Sequence, residues 1–146
     1  MDVTVLYFDV DHAIREHDWI IEHSGGLPGL KDADAGQLSS VLEHIQNDLY
    51  YPSFEEKLCH LVFAVNKFHA FNDGNKRSSL VLGAYFLELN GYDYCVKKFV
   101  LEMENIVVWL AKGQISKELL LRLITSLIMD DDYPEELKLE LIEAVG

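Results

Sequence analysis

The residues best suited to chemistry lie together at positions 69 to 77, which read His-Ala-Phe-Asn-Asp-Gly-Asn-Lys-Arg. An imidazole whose pKa is close to neutral can take a proton from an incoming hydroxyl. A carboxylate beside an anion site is the kind of ligand with which Mg²⁺ joins a protein to substrate phosphates. The cations Lys76 and Arg77 can neutralise the negative charge that develops on a transferred group. Together these residue types indicate phosphate chemistry.

The order of the residues predicts a role for each of them. His69 is expected to act as the general base and Asp73 to hold Mg²⁺. Gly74, Asn75 and the following backbone N–H groups are expected to cradle an anion, because a helix N-terminus carries the positive end of the dipole. Taken singly, a histidine at a helix end is usually a capping or core residue, and an Asp-Gly turn before two cations is usually a solvated loop. The joint spacing favours the catalytic interpretation.

Two helices must meet at this stretch. Residues 53 to 69 carry apolar side chains at spacings of three and four, which predicts an amphipathic helix. Ser53 and Glu56 form a capping box that fixes its start. A second apolar pattern begins a few residues after the Asp-Gly turn, so residues 75 to 77 are expected at a helix N-terminus. Lys67, one turn before the loop, is a further candidate for a phosphate contact.

The pattern His-x-Phe-x-Asp-Gly-Asn-Lys-Arg resembles the signature of the Fic/Doc family, in the form typical of its death-on-curing toxin branch. The AMP-transferring members have Gly where this chain has Lys76, and a second Arg where it has Leu80. The branch with these substitutions holds ATP the other way round and passes on the γ-phosphate. The resemblance therefore implies a Doc-like toxin that uses ATP and Mg²⁺ to phosphorylate a Ser or Thr hydroxyl of elongation factor Tu, which blocks translation. Phe71 is expected to point inward and anchor the loop.

A glycine-rich stretch before the motif provides the second match. From composition alone, the run Gly25, Gly26, Leu27, Pro28 and Gly29 is a plain turn between two helices. It also resembles the loop that precedes the active site in death-on-curing proteins, where this segment positions the target peptide. The resemblance thus implies that these five residues form a target-binding loop.

The remaining pattern predicts an all-α fold: a compact Fic/Doc-type helical bundle with at most a short extended segment, in a single domain over residues 1–146. Residues 3 to 7 and 92 to 96 are expected to be extended, and Trp19 is expected in the core. Further helices are predicted from Asp9 or Asp11 to His23, from Asp34 to Asp48, over 97 to 112, over 116 to 129, and within an acidic tail, 130–146.

Histidines and cysteines outside the motif are given structural roles. His12, His17 and His23 do not share one helical face, so they are interpreted as surface or cap residues rather than as metal ligands. Cys59 and Cys95 have no metal-binding spacing and are expected to be buried thiols in a reducing cytosol.

Composition limits the partners that the chain can bind. A net charge of −13 disfavours nucleic acid and anionic membranes. No apolar run approaches the roughly 18 residues that span a bilayer, and the first residues lack the pattern of a secretory signal, so a cytoplasmic location is expected. The tail 130–146 carries seven acidic residues and one lysine, and it is interpreted as a solvated closing helix.

Regulation is expected to come from a second protein. Many Fic proteins restrain themselves with a helix that carries Ser or Thr, three further residues, Glu, and then Gly or Asn. This chain lacks that pattern, because Ser39 and Glu43 are followed by His44. The resemblance therefore implies an antitoxin in trans, of the Phd type.

Two other hypotheses remain open. The first is AMP transfer (protein adenylylation), since His69, Asp73, Asn75 and Arg77 are common to both chemistries. The second is a non-catalytic binding module with the same fold, which is disfavoured because every reactive position is occupied.

Overall fold

The structure, a computed structural model, describes residues 4–24, 35–68 and 74–146. Within these ranges the chain forms seven helices and no strand, which confirms the predicted all-α class. The helices are α1 (Val10–Ser24), α2 (Ala35–His44), α3 (Phe54–Phe68), α4 (Asn75–Leu89), α5 (Asp93–Ala111), α6 (Lys117–Met129) and α7 (Glu135–Val145).

The central helix α3 begins at the predicted capping box. The backbone N–H of Glu56 donates to the Ser53 Oγ at 3.1 Å, and the Ser53 hydroxyl donates to the Glu56 carboxylate at 3.1 Å. The apolar stripe of α3 is fully buried, with Leu58, Leu61 and Val62 each 0% exposed. The helix α3 is central because it contacts α2, α4, α5 and α6, while α1 packs on α2 and α4, and α7 packs on α6.

The helices α3 and α4 approach closely at Gly83. A Cβ atom at this position would lie 2.9 Å from a methyl carbon of Val62 and 3.0 Å from the ring of Phe99. Only a glycine therefore allows α4 to lie this close to both α3 and α5. This contact fixes the angle between the two helices that flank the motif.

One hydrophobic core joins all seven described helices. Its buried residues run from Ala13 on α1 to Leu137 on α7, and they include Met103, Phe86 and Leu123 from the helices between. Cys59 and Cys95 are buried and unpaired, as expected for thiols in a core. No helix in the described ranges has the length and apolar character needed to cross a membrane.

The predicted extended link over residues 92 to 96 is wrong, because α5 begins at Asp93. The chain reverses at Gly91, which has φ 84°, and the N–H of Tyr92 donates to the Leu87 carbonyl at 2.9 Å. This tight closure of α4 leaves no residues for a link. The first turn of α5 then buries Cys95, which gives that turn a place in the core.

One other boundary differs from the predictions. The helix α2 ends at His44 rather than at Asp48, since the N–H groups of Gln46 and Asn47 donate to carbonyls three residues earlier. Residues 4–9 contain neither helix nor strand, and the extended conformation expected for residues 3 to 7 stays a prediction. The side chain of Asn90 accepts from the N–H of Leu6 at 2.7 Å and donates to its carbonyl at 3.0 Å, and so replaces a strand neighbour.

Two side chains on α1 differ in burial from what the sequence predicts. Trp19 is 60% exposed and stacks on His23, so its predicted place in the core is wrong. His17 is 0% exposed, so its interpretation as a surface or cap residue is also wrong. His12 is partly buried and stacks on Tyr85 with ring centroids 4.4 Å apart. The rings of Trp19 and His12 thus pair with other rings, on α1 and on α4 respectively, rather than following a simple apolar stripe.

Candidate functional site

The described part of the motif is the beginning of α4. Gly74 is the N-cap residue, and Asn75, Lys76 and Arg77 form the first turn, as the sequence predicts. His69, Phe71 and Asp73 lie outside the described residues, and so do Gly25, Gly26, Leu27, Pro28 and Gly29. The roles of these eight residues stay predictions.

Gly74 adopts a conformation that favours glycine. Its φ is 74° and its ψ is 22°, in the left-handed region, where a Cβ would crowd the backbone. The carbonyl of Gly74 accepts the N–H of Ser78 at 2.8 Å, which is the first bond of the helix. The glycine of the motif therefore sets the direction in which α4 starts.

The first turn of α4 combines three features that favour an anion. The side chains of Lys76 and Arg77 are exposed, and Asn75 is partly exposed beside them. Within α4, all of which the structure describes, the first turn contains no acidic residue. The positive end of the helix dipole lies at this same turn. These residues fit a phosphate group.

The buried side of this turn is fixed to the core. Ser78 and Ser79 are both 0% exposed, one turn behind the cations. The Ser79 hydroxyl donates to the carbonyl of Lys76 at 2.7 Å. The backbone beneath the exposed cations is thus held in place, which lowers the entropy lost when a ligand binds.

The last turn of α3 is held by Asn66, a residue that the sequence analysis did not single out. Its side-chain Nδ2 donates to the carbonyl of Val107 on α5 at 3.0 Å, and the residue is 1% exposed. A polar side chain within the apolar stripe of α3 was the signal that could have identified it. Lys67, the next residue, is partly exposed at the end of the same helix.

Leu80 lies on α4 at the position where the AMP-transferring pattern has a second arginine. It is partly buried and packs against the hydrophobic core. This position therefore offers no charged group to a nucleotide. The cations of the first turn of α4 are Lys76 and Arg77.

Two comparisons with known proteins agree on one family. A family model described as Fic/DOC family matches residues 7–87, which is more than half of the chain. A relative that is 33% identical over 110 residues is the protein "Protein kinase doc" of Escherichia phage P1. That match covers 73% of this chain and 82% of the phage protein.

Proposed function

Because the chain belongs to the Fic/DOC family, we propose that it is a Doc-like toxin that transfers the γ-phosphate of ATP to a Ser or Thr hydroxyl of a target protein. The observation that carries this proposal is the start of α4, where a left-handed glycine leads into a turn with two exposed cations. The name of its phage relative, a protein kinase, supports the same chemistry.

In this proposal each motif residue acts on the substrate in a defined way. His69 takes the proton from the acceptor hydroxyl. Arg77 and Lys76 bind the phosphates at the N-terminus of α4, together with Gly74 and the Asn75 backbone. Mg²⁺, held by Asp73, would neutralise charge on the phosphates when bound.

Phosphate transfer is preferred to AMP transfer because of Leu80 and Lys76. An AMP-transferring site needs a second arginine to turn the α-phosphate toward the acceptor, and Leu80 packs against the core instead. Lys76 adds a cation where the AMP-transferring pattern has glycine. Together these two positions favour a nucleotide held through its outer phosphates.

The partners follow from the same family. The proposed target is elongation factor Tu, whose phosphorylation in the cytoplasm would block translation, and the loop over residues 25–29 would position it. A Phd-like antitoxin would supply the inhibition. We also propose that residues 1–146 form a single domain, with the acidic helix α7 as its closing element; the shared core supports this.

Incubation of the protein and elongation factor Tu with ATP labelled on either the α- or the γ-phosphate tests the proposal. Label transferred from the γ-position supports it, and a His69→Ala variant should then transfer none. Label transferred from the α-position would mean AMP transfer. No label at any Mg²⁺ concentration would point to a binding module.

A further inference from the structure

The turn between α2 and α3 presents two apolar side chains to solvent. Leu49 is 93% exposed and Tyr50 is 66% exposed. Scattered apolar residues are normal on protein surfaces, but these two are adjacent and lie at the tip of a turn. We call residues 45–51 the 45–51 turn.

A buried lysine holds the 45–51 turn in place. Lys57 on α3 is 1% exposed, and its ammonium donates to the Ile45 carbonyl at 2.8 Å and to the Asp48 carboxylate at 2.7 Å. Burial alone would lower the pKa of Lys57, but its bonds to Asp48 and Tyr7 outweigh that effect and raise it. Lys57 therefore stays charged, and the turn is fixed around that charge.

Backbone hydrogen bonds complete this fixed geometry. The side-chain oxygen of Asn47 accepts from the N–H of Leu49 at 2.9 Å. The backbone carbonyl of Asn47 accepts from the N–H of Tyr51 at 2.9 Å. The two exposed side chains thus stand on a backbone with little freedom left to lose. Binding of a partner would therefore cost little backbone conformational entropy in the turn, which favours a strong contact.

A wall of stacked rings next to the turn separates two clefts. The rings of Tyr51 and His60 stack with centroids 4.7 Å apart. On one side is a cleft of about 590 Å³ lined by His60, Glu43 and neighbouring α2 residues. On the other is a cleft of about 380 Å³ lined by Tyr50, Tyr51, Glu118 and Lys117, among others. Each cleft could take one side chain or more of a bound segment.

One positive charge, the ammonium of Lys117, lies against the wall and in the lining of the second cleft. The ammonium of Lys117 lies 2.8 Å from the Nδ1 of His60, and it lies 5.4 Å from the ring centre of Tyr51 and 5.3 Å from that of Phe63. Burial, followed by the charges of Lys117 and His44, lowers the pKa of His60 to about 4, so this imidazole is neutral near pH 7. The wall therefore keeps one charge state across the physiological range.

The negative charges of this surface point outward. Glu43 lines the first cleft and Glu118 the second, and both are exposed. Each cleft therefore presents an exposed carboxylate, and the described residues that line the first cleft include no lysine or arginine to neutralise it. An arginine is the side chain that best fits such a place, since it can stack on a tyrosine ring and pair with a carboxylate.

We propose that the 45–51 turn and its two clefts form a docking surface for a protein segment that carries arginine or lysine next to apolar side chains. The carboxylates on both sides of the tip favour a basic partner. They disfavour a second copy of this chain, which would bring another net charge of −13 to the contact. This inference uses no residue of the motif and does not rest on the proposed function.

A titration monitored by amide resonances in nuclear magnetic resonance tests the proposal. The probe is a synthetic helical peptide with a stripe of leucines flanked by arginines, added to the full chain. We expect the shifts to concentrate in residues 43–51, 56–60 and 117–121. Shifts centred on the acidic tail, 130–146, would overturn the proposal, because they would mean attraction by general charge alone.

Two matched double variants make the test specific. Replacing both Leu49 and Tyr50 with serine should weaken binding of the peptide about tenfold or more, because exposed aromatic anchors dominate such contacts. Replacing both Leu139 and Ile142, exposed apolar residues on α7, with serine should leave the affinity unchanged. Equal affinities of the two variants would contradict the proposal. Sedimentation measurements would also contradict the proposal if they showed that the unaltered chain self-associates and that only the variant at Leu49 and Tyr50 does not.

Discussion

Under the proposed function, Arg77 and Lys76 are the described residues on which nucleotide binding would depend most. Both are exposed at the start of α4, in a turn without acidic residues. The backbone beneath them is fixed by the Ser79 hydroxyl, which donates to the Lys76 carbonyl. Substitution of either cation should therefore affect binding more than folding.

We expect Arg77→Ala to weaken ATP binding and to lower the transfer rate by about tenfold to a hundredfold, since it removes a cation from the developing charge. Calorimetric titration with Mg-ATP and the rate of label transfer measure the two effects. Arg122→Ala is the control, because Arg122 is an exposed arginine on α6 that pairs with Glu140. A variant at Arg77 that behaves like this control would remove Arg77 from the site.

His60 makes the free energy of unfolding depend on pH, and the direction of this dependence follows from the shift of its pKa. Its pKa is about 4 in the folded chain, below the ordinary value of about 6.5, because of burial and then the charges of Lys117 and His44. Between these two values the unfolded state binds the additional proton. The free energy of unfolding should therefore fall as the pH is lowered from about 6.5 to 4, by up to about 3 kcal/mol.

A His60→Phe variant keeps a ring against Tyr51 but removes the proton. We expect its free energy of unfolding to decline less between pH 6.5 and pH 4 than that of the unaltered chain. Urea denaturation at several pH values measures the difference. His23→Phe, which changes an exposed histidine on α1, serves as the control. Identical slopes in all three proteins would show that His60 is not the titrating group.

At the scale of elements, the contact at Gly83 sets how closely α4 lies against α3 and α5. Gly83→Ala would bring a methyl group within 2.9 Å of Val62 and 3.0 Å of Phe99. We expect it to lower the free energy of unfolding by about 1 to 3 kcal/mol through overpacking, and to lower the transfer rate as α4 shifts.

Gly36→Ala is the matched control for this substitution. Gly36 lies within α2, and a Cβ there would meet nothing within 4 Å. Alanine favours a helix over glycine, so this variant should gain about 0.5 to 1 kcal/mol. Thermal unfolding of both variants measures whether each is less or more stable than the unaltered chain. A Gly83→Ala variant as stable as the unaltered chain would mean that the close approach is not needed.

The elements were predicted well where local signals and apolar periodicity agree. The capping box of Ser53 and Glu56 gave the start of α3, and the Asp-Gly turn gave the start of α4. The start of α5 could not be predicted, because it depends on the closure of α4 onto Tyr92. The burial of His17 and the exposure of Trp19 could not be predicted either, since apolar periodicity does not show which ring packs against another side chain.

At the scale of the whole molecule, the all-α class followed from the sequence because each helix carries its own apolar stripe. The fixed surface around the 45–51 turn did not follow. It depends on contacts between residues far apart in the chain, such as Lys117 with His60 and Lys57 with Asp48. The local spacing of apolar and polar residues in the sequence gives no information about such pairs.

A single core that joins α1 to α7 predicts cooperative unfolding. We expect one calorimetric transition, with the van't Hoff enthalpy equal to the calorimetric enthalpy, as for other single domains of this size. Two separate transitions would contradict the proposal that residues 1–146 form one domain.

The intact mass of elongation factor Tu after incubation with this protein and Mg-ATP tests the central claim most directly. We predict that the mass increases by one phosphoryl group, and that this increase is about tenfold to a hundredfold slower with Arg77→Ala and unchanged in rate with Arg122→Ala. An increase by one AMP group, or an unchanged mass with active protein, would contradict the claim that the start of α4 holds ATP for transfer of its γ-phosphate.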